Sequence, residues 1–130
     1  MVLYLSVAQL DWLHQFQLEH YGGGQGVRDR GALEAAAARP AMTYGGEDLY
    51  PDLPGKAAAL MHSLVKNHPY VDGNKRVGAH AAVVFLRVNG WDLAAESDDL
   101  EKTTMALAAG DLDVESLTVW FRQRSFQRST

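Results

Sequence analysis

The chain has 130 residues, of which 47% are hydrophobic and 22% are charged, and this composition predicts one folded domain spanning residues 1–130. It contains no cysteine, which excludes disulfide frameworks, thiolate zinc sites and cysteine nucleophiles. A net charge of −4, no signal peptide and no membrane-length apolar run predict a cytoplasmic protein that contacts neither nucleic acid nor membrane directly.

The N-terminal quarter predicts a short strand, a helix and a glycine-rich connection. Residues 3–5 favour the strand, and Ser6 with Gln9 forms a capping box that begins a helix through about Tyr21. Four glycines follow in residues 22–26. This stretch lacks the Gly-Lys-Ser/Thr ending of a phosphate-binding P-loop, so we expect it to be a flexible connection.

The next segment predicts a second helix from Arg30 to Ala38, which ends before Pro40 because the residue preceding a proline is disfavoured in the α conformation. Arg28 and Asp29 begin this helix, where we expect a cap and a local ion pair. Residues 42–52 hold glycines, a proline and aromatic residues and predict an extended loop or a small hairpin.

Two strong helical segments come next. Between Lys56 and Asn67 the apolar residues recur at i, i+3, i+4, i+7 and i+8, as on one buried face of a helix. Residues 77–88 are apolar on nearly all sides and are followed by Asn89-Gly90, a typical C-cap. A helix of this kind must be central in the fold.

Two further helices complete the predicted fold. Asp98 and Glu101 indicate a capping box for a helix that ends at Ala109, and Asp113 begins a last helix through about Arg124. The sequence therefore predicts an all-α fold of about six helices around a central buried helix, with a short N-terminal strand and a small flap.

The connection between the two best helices, His68 to Arg76, carries the densest chemistry in the chain. Gly73 and Asn74 lie at a helix entrance, where unpaired backbone N–H groups and the helix dipole favour an anion. Lys75 and the arginine that ends the segment add charge-assisted hydrogen bonds to the same anion.

Neighbouring side chains add the remaining parts of a group-transfer site. Asp72 is a natural Mg²⁺ ligand beside a phosphate, and His68 is a candidate base that takes a proton from an attacking hydroxyl. Lys66 and His80 could point toward the same phosphate or have purely structural roles. His62 and His68 are six residues apart, which does not suit two zinc ligands on one helix face.

Residues 68–76 resemble the signature of the Fic/Doc family: histidine, any residue, aromatic, any residue, Asp or Glu, Gly or Ala, Asn, Gly or Lys, Arg. The resemblance to the Doc (death-on-curing) toxin branch covers almost the whole chain. It extends to Gly26-Val27-Arg28-Asp29, Leu33-Glu34, Ala38-Arg39-Pro40, Tyr50-Pro51, Lys56-Ala57-Ala58, Phe85-Leu86 and Asn89-Gly90.

The resemblance implies a helical fold whose central helix begins at the motif, a flap that aligns a target peptide, and transfer of part of ATP to a protein hydroxyl. It implies that His68 is the general base, Asp72 the Mg²⁺ ligand and Arg76 a phosphate clamp. It also implies that Gly73 and Asn74 anchor the phosphate and that the aromatic ring of Tyr70 pins the loop to the core. The hydroxyl of Tyr70, where the family normally has Phe, needs a partner or solvent.

Two positions favour the Doc branch over the AMP-transferring branch. Lys75 stands where AMP-transferring Fic enzymes usually have glycine, and Ala79 stands where they have a second arginine. The Doc branch is similar to a protein kinase that transfers the γ-phosphate of ATP to a threonine of elongation factor Tu and arrests translation. Its toxins are paired with a Phd-like antitoxin. Gly73 keeps a Fic-like element, so AMP transfer stays an alternative, as does a catalytically silent binding protein.

Overall fold

The computed structural model describes residues 1–129, in which six helices account for most of the chain. The helices are α1 (Val7–Tyr21), α2 (Arg30–Ala38), α3 (Leu53–Asn67), α4 (Asn74–Val88), α5 (Ser97–Ala109) and α6 (Val114–Arg124). A single 3₁₀ turn, Arg39–Ala41, extends α2. The prediction of an all-α fold is confirmed. Within residues 1–129, no helix combines the length and the apolar character needed to cross a bilayer.

Local capping chemistry fixes the starts of α1 and α6. The Ser6 hydroxyl accepts the N–H of Gln9 at 3.2 Å, and the Gln9 side chain accepts the N–H of Ser6 at 2.8 Å, which is the predicted capping box. Asp113 accepts the N–H of Ser116 at 2.8 Å at the start of α6. Both helices begin where the sequence predicts, because these hydrogen bonds join residues three apart.

Two other helix starts differ from the prediction. The capping box at Asp98 and Glu101 is wrong, since α5 already begins at Ser97 after Glu96 and no side chain caps it. Asp98 and Asp99 lie within the first turn of α5, where the helix dipole favours negative charge. Helix α3 begins at Leu53 rather than near Lys56, because the carboxylate of Asp52 accepts the N–H of Gly55 at 2.9 Å.

Helices α3 and α4 together form the centre of the fold. Eleven of the 15 residues of α3 are buried, compared with seven of the 15 residues of α4. Helix α4 packs against α1, α3 and α5, as its apolar sequence predicts, but α3 contacts α2, α4, α5 and α6 and is the more enclosed helix. At their crossing a Cβ on Gly78 would lie 2.7 Å from Cγ2 of Val65, so the two backbones approach closely.

Within residues 1–129, four short strands make two antiparallel pairs. Strands β1 (Thr43–Tyr44) and β2 (Glu47–Asp48) form the small hairpin predicted for this region. Strands β3 (Trp91–Leu93) and β4 (Ser125–Gln127) pair across the chain, and no local pattern predicts this contact. The predicted strand at residues 3–5 is wrong, because the backbone of Leu3 bonds the side-chain amide of Asn89 instead of another strand.

One buried cation joins the hairpin to the core. Lys56 is only 1% exposed, and its ammonium donates to the carboxylate of Asp48 at 3.1 Å and to the carbonyl of Pro40 at 3.2 Å. Asp48 is half-exposed, so the ion pair lies at the edge of the core. The position of the hairpin is thus set by a side chain of α3, the helix that ends at the candidate site.

Candidate active site

His68 lies at the point where α3 ends. It is the C-cap of the helix and adopts a left-handed backbone conformation, with φ 47° and ψ 57°. Among residues 1–129 it is the only non-glycine residue with positive φ, a conformation that costs roughly 1–2 kcal/mol for an L-residue. The side chain is exposed. The imidazole therefore reaches solvent from a backbone that its neighbours must hold in place.

The loop after His68 is paired with the segment that precedes α2. Val71 donates its N–H to the carbonyl of Gly26 at 3.0 Å. The N–H groups of Arg28 and Asp29 both donate to the carbonyl of Pro69, at 2.8 and 3.0 Å. These bonds make a short antiparallel bridge, so the loop between α3 and α4 has a defined backbone path.

Arg28 has a different role from the predicted one. Its guanidinium donates from Nε to the carbonyl of His68 at 2.6 Å and from Nη2 to the carbonyl of Asn67 at 2.8 Å. The local ion pair expected for Arg28 is wrong, because the carbonyls at the end of α3 take its hydrogen bonds. The expected cap is confirmed at Asp29, which accepts the N–H of Ala32 at 3.0 Å.

Tyr70 anchors the loop in the core. The residue is 1% exposed, and its ring stacks on the imidazole of His14 with centroids 3.9 Å apart. Its hydroxyl, which needs a partner, donates to the carboxylate of Asp11 at 2.9 Å. Burial and the neighbouring carboxylate raise the pKa of Tyr70, so this hydroxyl stays protonated.

The side chain of Asn74 holds the same anchor from the other side. Its Oδ1 accepts the N–H of Tyr70 at 3.0 Å, and its Nδ2 donates to the carbonyl of Tyr70 at 2.9 Å. Asn74 is 8% exposed, so both bonds are buried. The amide of Asn74 therefore shapes the loop, and within residues 1–129 the backbone N–H of this residue at the helix entrance has no acceptor.

The carboxylate of Asp72 is exposed and orientated by backbone groups. One oxygen accepts the N–H of Gly24 at 3.1 Å and the other accepts the N–H of Gly73 at 2.8 Å. These two bonds hold the pKa of Asp72 below its usual value of 3.8. The ring Nε2 of His14 donates to the backbone carbonyl of Asp72 at 2.7 Å. The carboxylate is thus ionised at neutral pH and fixed in direction.

The glycine-rich segment 22–26 is part of the site. A Cβ on Gly23, whose φ is +120°, would lie 2.9 Å from Oδ2 of Asp72. Only a residue without a side chain allows the backbone to come this close. The segment is the predicted connection between α1 and α2, and it also bonds the carboxylate of Asp72 and pairs with the loop, contacts that the prediction did not include.

The first turn of α4 offers unpaired N–H groups. Gly73 is the N-cap, with φ 79° and no side-chain cap, and the first helical bond runs from Val77 to its carbonyl. Within residues 1–129, the N–H groups of residues 74–76 have no acceptor. Lys75 and Arg76 are exposed beside them, and the guanidinium of Arg76 lies 4.7 Å from the ring centroid of Tyr21. This arrangement suits an anion such as a phosphate.

Two other predicted residues have protein partners. The ammonium of Lys66 lies 3.4 Å from the carbonyl of Ala108, at the end of α5. His80 is half-buried on the α1 side of α4, where its Nδ1 accepts a hydrogen bond from the amide of Gln17 at 2.7 Å. Burial lowers the pKa of His80, which favours the neutral ring.

The residues present fit one hydrated divalent cation. No group of three or more His, Asp or Glu side chains in residues 1–129 forms a protein-only metal cage. Each oxygen of the Asp72 carboxylate accepts one N–H and keeps a second lone pair. Mg²⁺ commonly uses one or two carboxylates together with phosphate oxygens and water. Asp72 beside the α4 entrance would be the one protein ligand of such an ion, with phosphate oxygens and water completing its coordination.

Sequence reasoning missed His14, Asp11 and the glycine backbone as parts of the site. Their partners lie 48 to 59 residues away along the chain, so no spacing pattern marks them.

Comparison with known proteins gives a consistent result. The model of the Fic/DOC family matches residues 4–86. Toxin Doc of Mycolicibacterium smegmatis is 48% identical over 99 residues, which cover 75% of this chain and 76% of that protein. Protein kinase doc of Escherichia phage P1 is 30% identical over 120 residues, which cover 92% of this chain and 94% of that protein.

Proposed function

We propose that this chain, which belongs to the Fic/DOC family, is the toxin of a toxin–antitoxin pair and acts as a protein kinase. Its relative from phage P1 is named a protein kinase, and its relative from M. smegmatis is named a toxin. In this proposal the substrate is ATP, the acceptor is a threonine hydroxyl of elongation factor Tu, and translation stops when it is phosphorylated.

The observation that carries the proposal is that residues 68–76 separate into buried residues that hold the backbone and exposed residues with catalytic chemistry. Pro69, Tyr70 and Asn74 are buried and fix the backbone, whereas the residues with catalytic chemistry are exposed. Those exposed residues are His68, Asp72, Lys75 and Arg76. A connector that served only to join two helices would not need a base, a carboxylate and two cations on its open side.

The reaction follows from the roles of these groups. The threonine oxygen attacks the γ-phosphorus, a new O–P bond forms, and the bond to the β–γ bridging oxygen breaks so that ADP leaves. His68 takes the proton of the threonine hydroxyl. The N–H groups of the first turn of α4, with Lys75 and Arg76, hold the phosphates.

Asp72 would hold Mg²⁺, which when bound neutralises phosphate charge. The carboxylate is suited to this because it is exposed, ionised and fixed by two backbone N–H groups.

The hairpin β1–β2 offers a place for the target peptide. All four of its strand residues are exposed, so its free edge can pair with an extended segment. Lys56 fixes the hairpin to the same helix that carries His68. Both the acceptor segment and the base would therefore be positioned by α3.

The test is to incubate the protein with Mg²⁺, ATP and purified elongation factor Tu and to weigh the factor by intact mass spectrometry. We expect one phosphoryl group on the factor with the wild type and none with His68→Ala. His20→Ala is the matched control, because His20 is an exposed histidine of α1 whose contacts within residues 1–129 are a hydrogen bond to the carbonyl of Phe16 and stacking on the ring of the same residue. Addition of an adenylyl group would replace the kinase proposal by AMP transfer, and an unmodified factor would refute this target.

We also propose a Phd-like antitoxin as the partner and the cytoplasm as the place of action. Expression of the wild-type chain alone should stop growth, and co-expression with the antitoxin from the same operon should restore it. His68→Ala should not stop growth. Arrest by that variant would refute a catalytic origin of toxicity.

A further inference from the structure

Three consecutive carbonyls lie at the C-terminal end of α3, and one short segment donates hydrogen bonds to all of them. The carbonyls belong to Asn67, His68 and Pro69. The guanidinium of Arg28 takes the first two, and the backbone N–H groups of Arg28 and Asp29 take the third. The end of a helix leaves carbonyls without intrahelical partners, so this segment supplies the missing donors from 39 to 41 residues away.

The backbone of His68 requires such support. A residue at this position of a helix end is usually glycine, because a side chain disfavours positive φ. Here the position holds the candidate base, with φ 47°. The guanidinium is planar and donates along two directions, at 2.6 and 2.8 Å, to the carbonyls on both sides of the His68 α-carbon.

In the described part of the chain, the guanidinium of Arg28 hydrogen-bonds only backbone carbonyls. Within residues 1–129 it makes no ion pair, whereas its neighbour Arg30 lies 3.5 Å from Glu34 and 3.9 Å from Asp11. The positive charge also lies at the negative end of the α3 dipole.

We propose that Arg28 is a positioning residue for His68: its guanidinium holds the left-handed backbone that directs the imidazole toward the acceptor hydroxyl. The reactive role of His68 rests on the proposed function, whereas the control of its backbone rests on geometry alone. Within the described residues 1–129 Arg28 makes no hydrogen bond to the first turn of α4, so it acts on the base and not on the phosphate site.

The experiment compares Arg28→Ala and Arg28→Lys with the matched control Arg30→Ala. The first readout is independent of activity: the NMR Cα shift of His68, which reports its backbone conformation. We expect this shift to change in Arg28→Ala, to change less in Arg28→Lys, and to stay at the wild-type value in Arg30→Ala. Lysine carries the charge but cannot donate to both carbonyls at once with a planar fork.

The second readout is phosphoryl transfer. We expect kcat to fall about 100-fold in Arg28→Ala, because a small misplacement of a reacting group has an effect of this order. The KM for ATP should stay within about twofold, since the phosphate site is untouched. Arg28→Lys should recover part of kcat, and it also serves if the alanine variant fails to fold.

Two results would overturn the proposal: a His68 Cα shift that is unchanged in both Arg28 variants, or a loss in KM with kcat preserved. A shift that changes while the wild type itself transfers no phosphoryl group would support control of the His68 backbone by Arg28 and refute the proposed function. The two failures are thus distinguishable.

Discussion

The two bonds of the Asn74 amide predict a large stability cost for Asn74→Ala. The change leaves the N–H and the carbonyl of Tyr70 without partners, and both lie in a buried part of the loop. Each buried group left unpaired costs about 1–3 kcal/mol, and water entering the new space recovers part of this. Alanine is the better helix former by about 0.5 kcal/mol. We expect a net loss of about 2–4 kcal/mol.

The chain offers a matched control in Asn89. Its amide bonds both backbone groups of Leu3, accepting the N–H at 2.7 Å and donating to the carbonyl at 2.9 Å, and these two bonds are exposed. Its Nδ2 also donates to the carbonyl of Phe85 at 2.9 Å, so this amide makes three hydrogen bonds where that of Asn74 makes two. Asn89→Ala exposes the Leu3 groups to water, so we expect a loss of about 1 kcal/mol. Asn89→Ala therefore removes more hydrogen bonds than Asn74→Ala but fewer buried ones, so the pair of variants separates the effect of burial from the number of hydrogen bonds.

Urea unfolding followed by circular dichroism measures both variants. The free energy of unfolding should fall more for Asn74→Ala than for Asn89→Ala, with equal slopes against urea. An equal decrease in the free energy of unfolding in the two variants would refute the argument that burial increases the stabilising effect of the Asn74 amide.

Three other predictions concern stability. The pKa of Asp72 is lower in the folded chain than its unfolded value of 3.8, so the ionised carboxylate stabilises the fold at neutral pH. The free energy of unfolding of the wild type should exceed that of Asp72→Asn by less and less as the pH falls from about 5 to about 3. A difference in urea midpoint that does not depend on pH would contradict this. Gly78→Ala should lower the free energy of unfolding by about 1–3 kcal/mol, because the added Cβ would lie 2.7 Å from Cγ2 of Val65. An unchanged melting temperature in thermal unfolding would show that α3 and α4 can move apart to accommodate it. Lys56→Met should lower the free energy of unfolding by about 1–3 kcal/mol, because it leaves the buried carbonyl of Pro40 without a donor. It should also speed hydrogen exchange in the hairpin by releasing Asp48, and unchanged exchange would show that other contacts hold the hairpin.

The proposed activity depends on two kinds of support around one loop. Tyr70 and Asn74 anchor the loop between α3 and α4 to the core, and the segment before α2 pairs with the backbone of this loop. The exposed groups are then presented without contributing to the core themselves. This separation predicts that His68→Ala leaves folding intact, because the anchoring bonds of the loop involve backbone carbonyls and other side chains.

Much of the fold could be predicted from sequence, because the signals are local. The capping residues Ser6 and Asp113 bond groups three residues away, and both helices begin as predicted. The apolar periodicity after Lys56 predicts α3, and the nearly continuous apolar run of residues 77–88 predicts α4 and its central position. The position of the residue 68–76 motif between these two helices follows from the same patterns.

The β elements show where local signals end. Strands β3 and β4 pair across two intervening helices, and neither has a sequence long enough to mark it as a strand. Residues 3–5 show the opposite case, because their apolar sequence predicts a strand that does not form. The backbone of Leu3 bonds the side chain of Asn89 instead of a partner strand. A strand exists only where a second strand bonds it, and that is a tertiary property.

The sequence by itself determined the helices, their order and the nonapeptide that joins the two central ones, because hydrogen bonds and apolar faces within a helix depend on residues three or four positions apart. Only the tertiary structure decided how the site is held. Arg28 reaches His68 across 40 residues, Gly24 reaches Asp72 across 48 and His14 reaches it across 58. Such contacts depend on how the helices pack, and packing brings together residues that no interval along the chain relates.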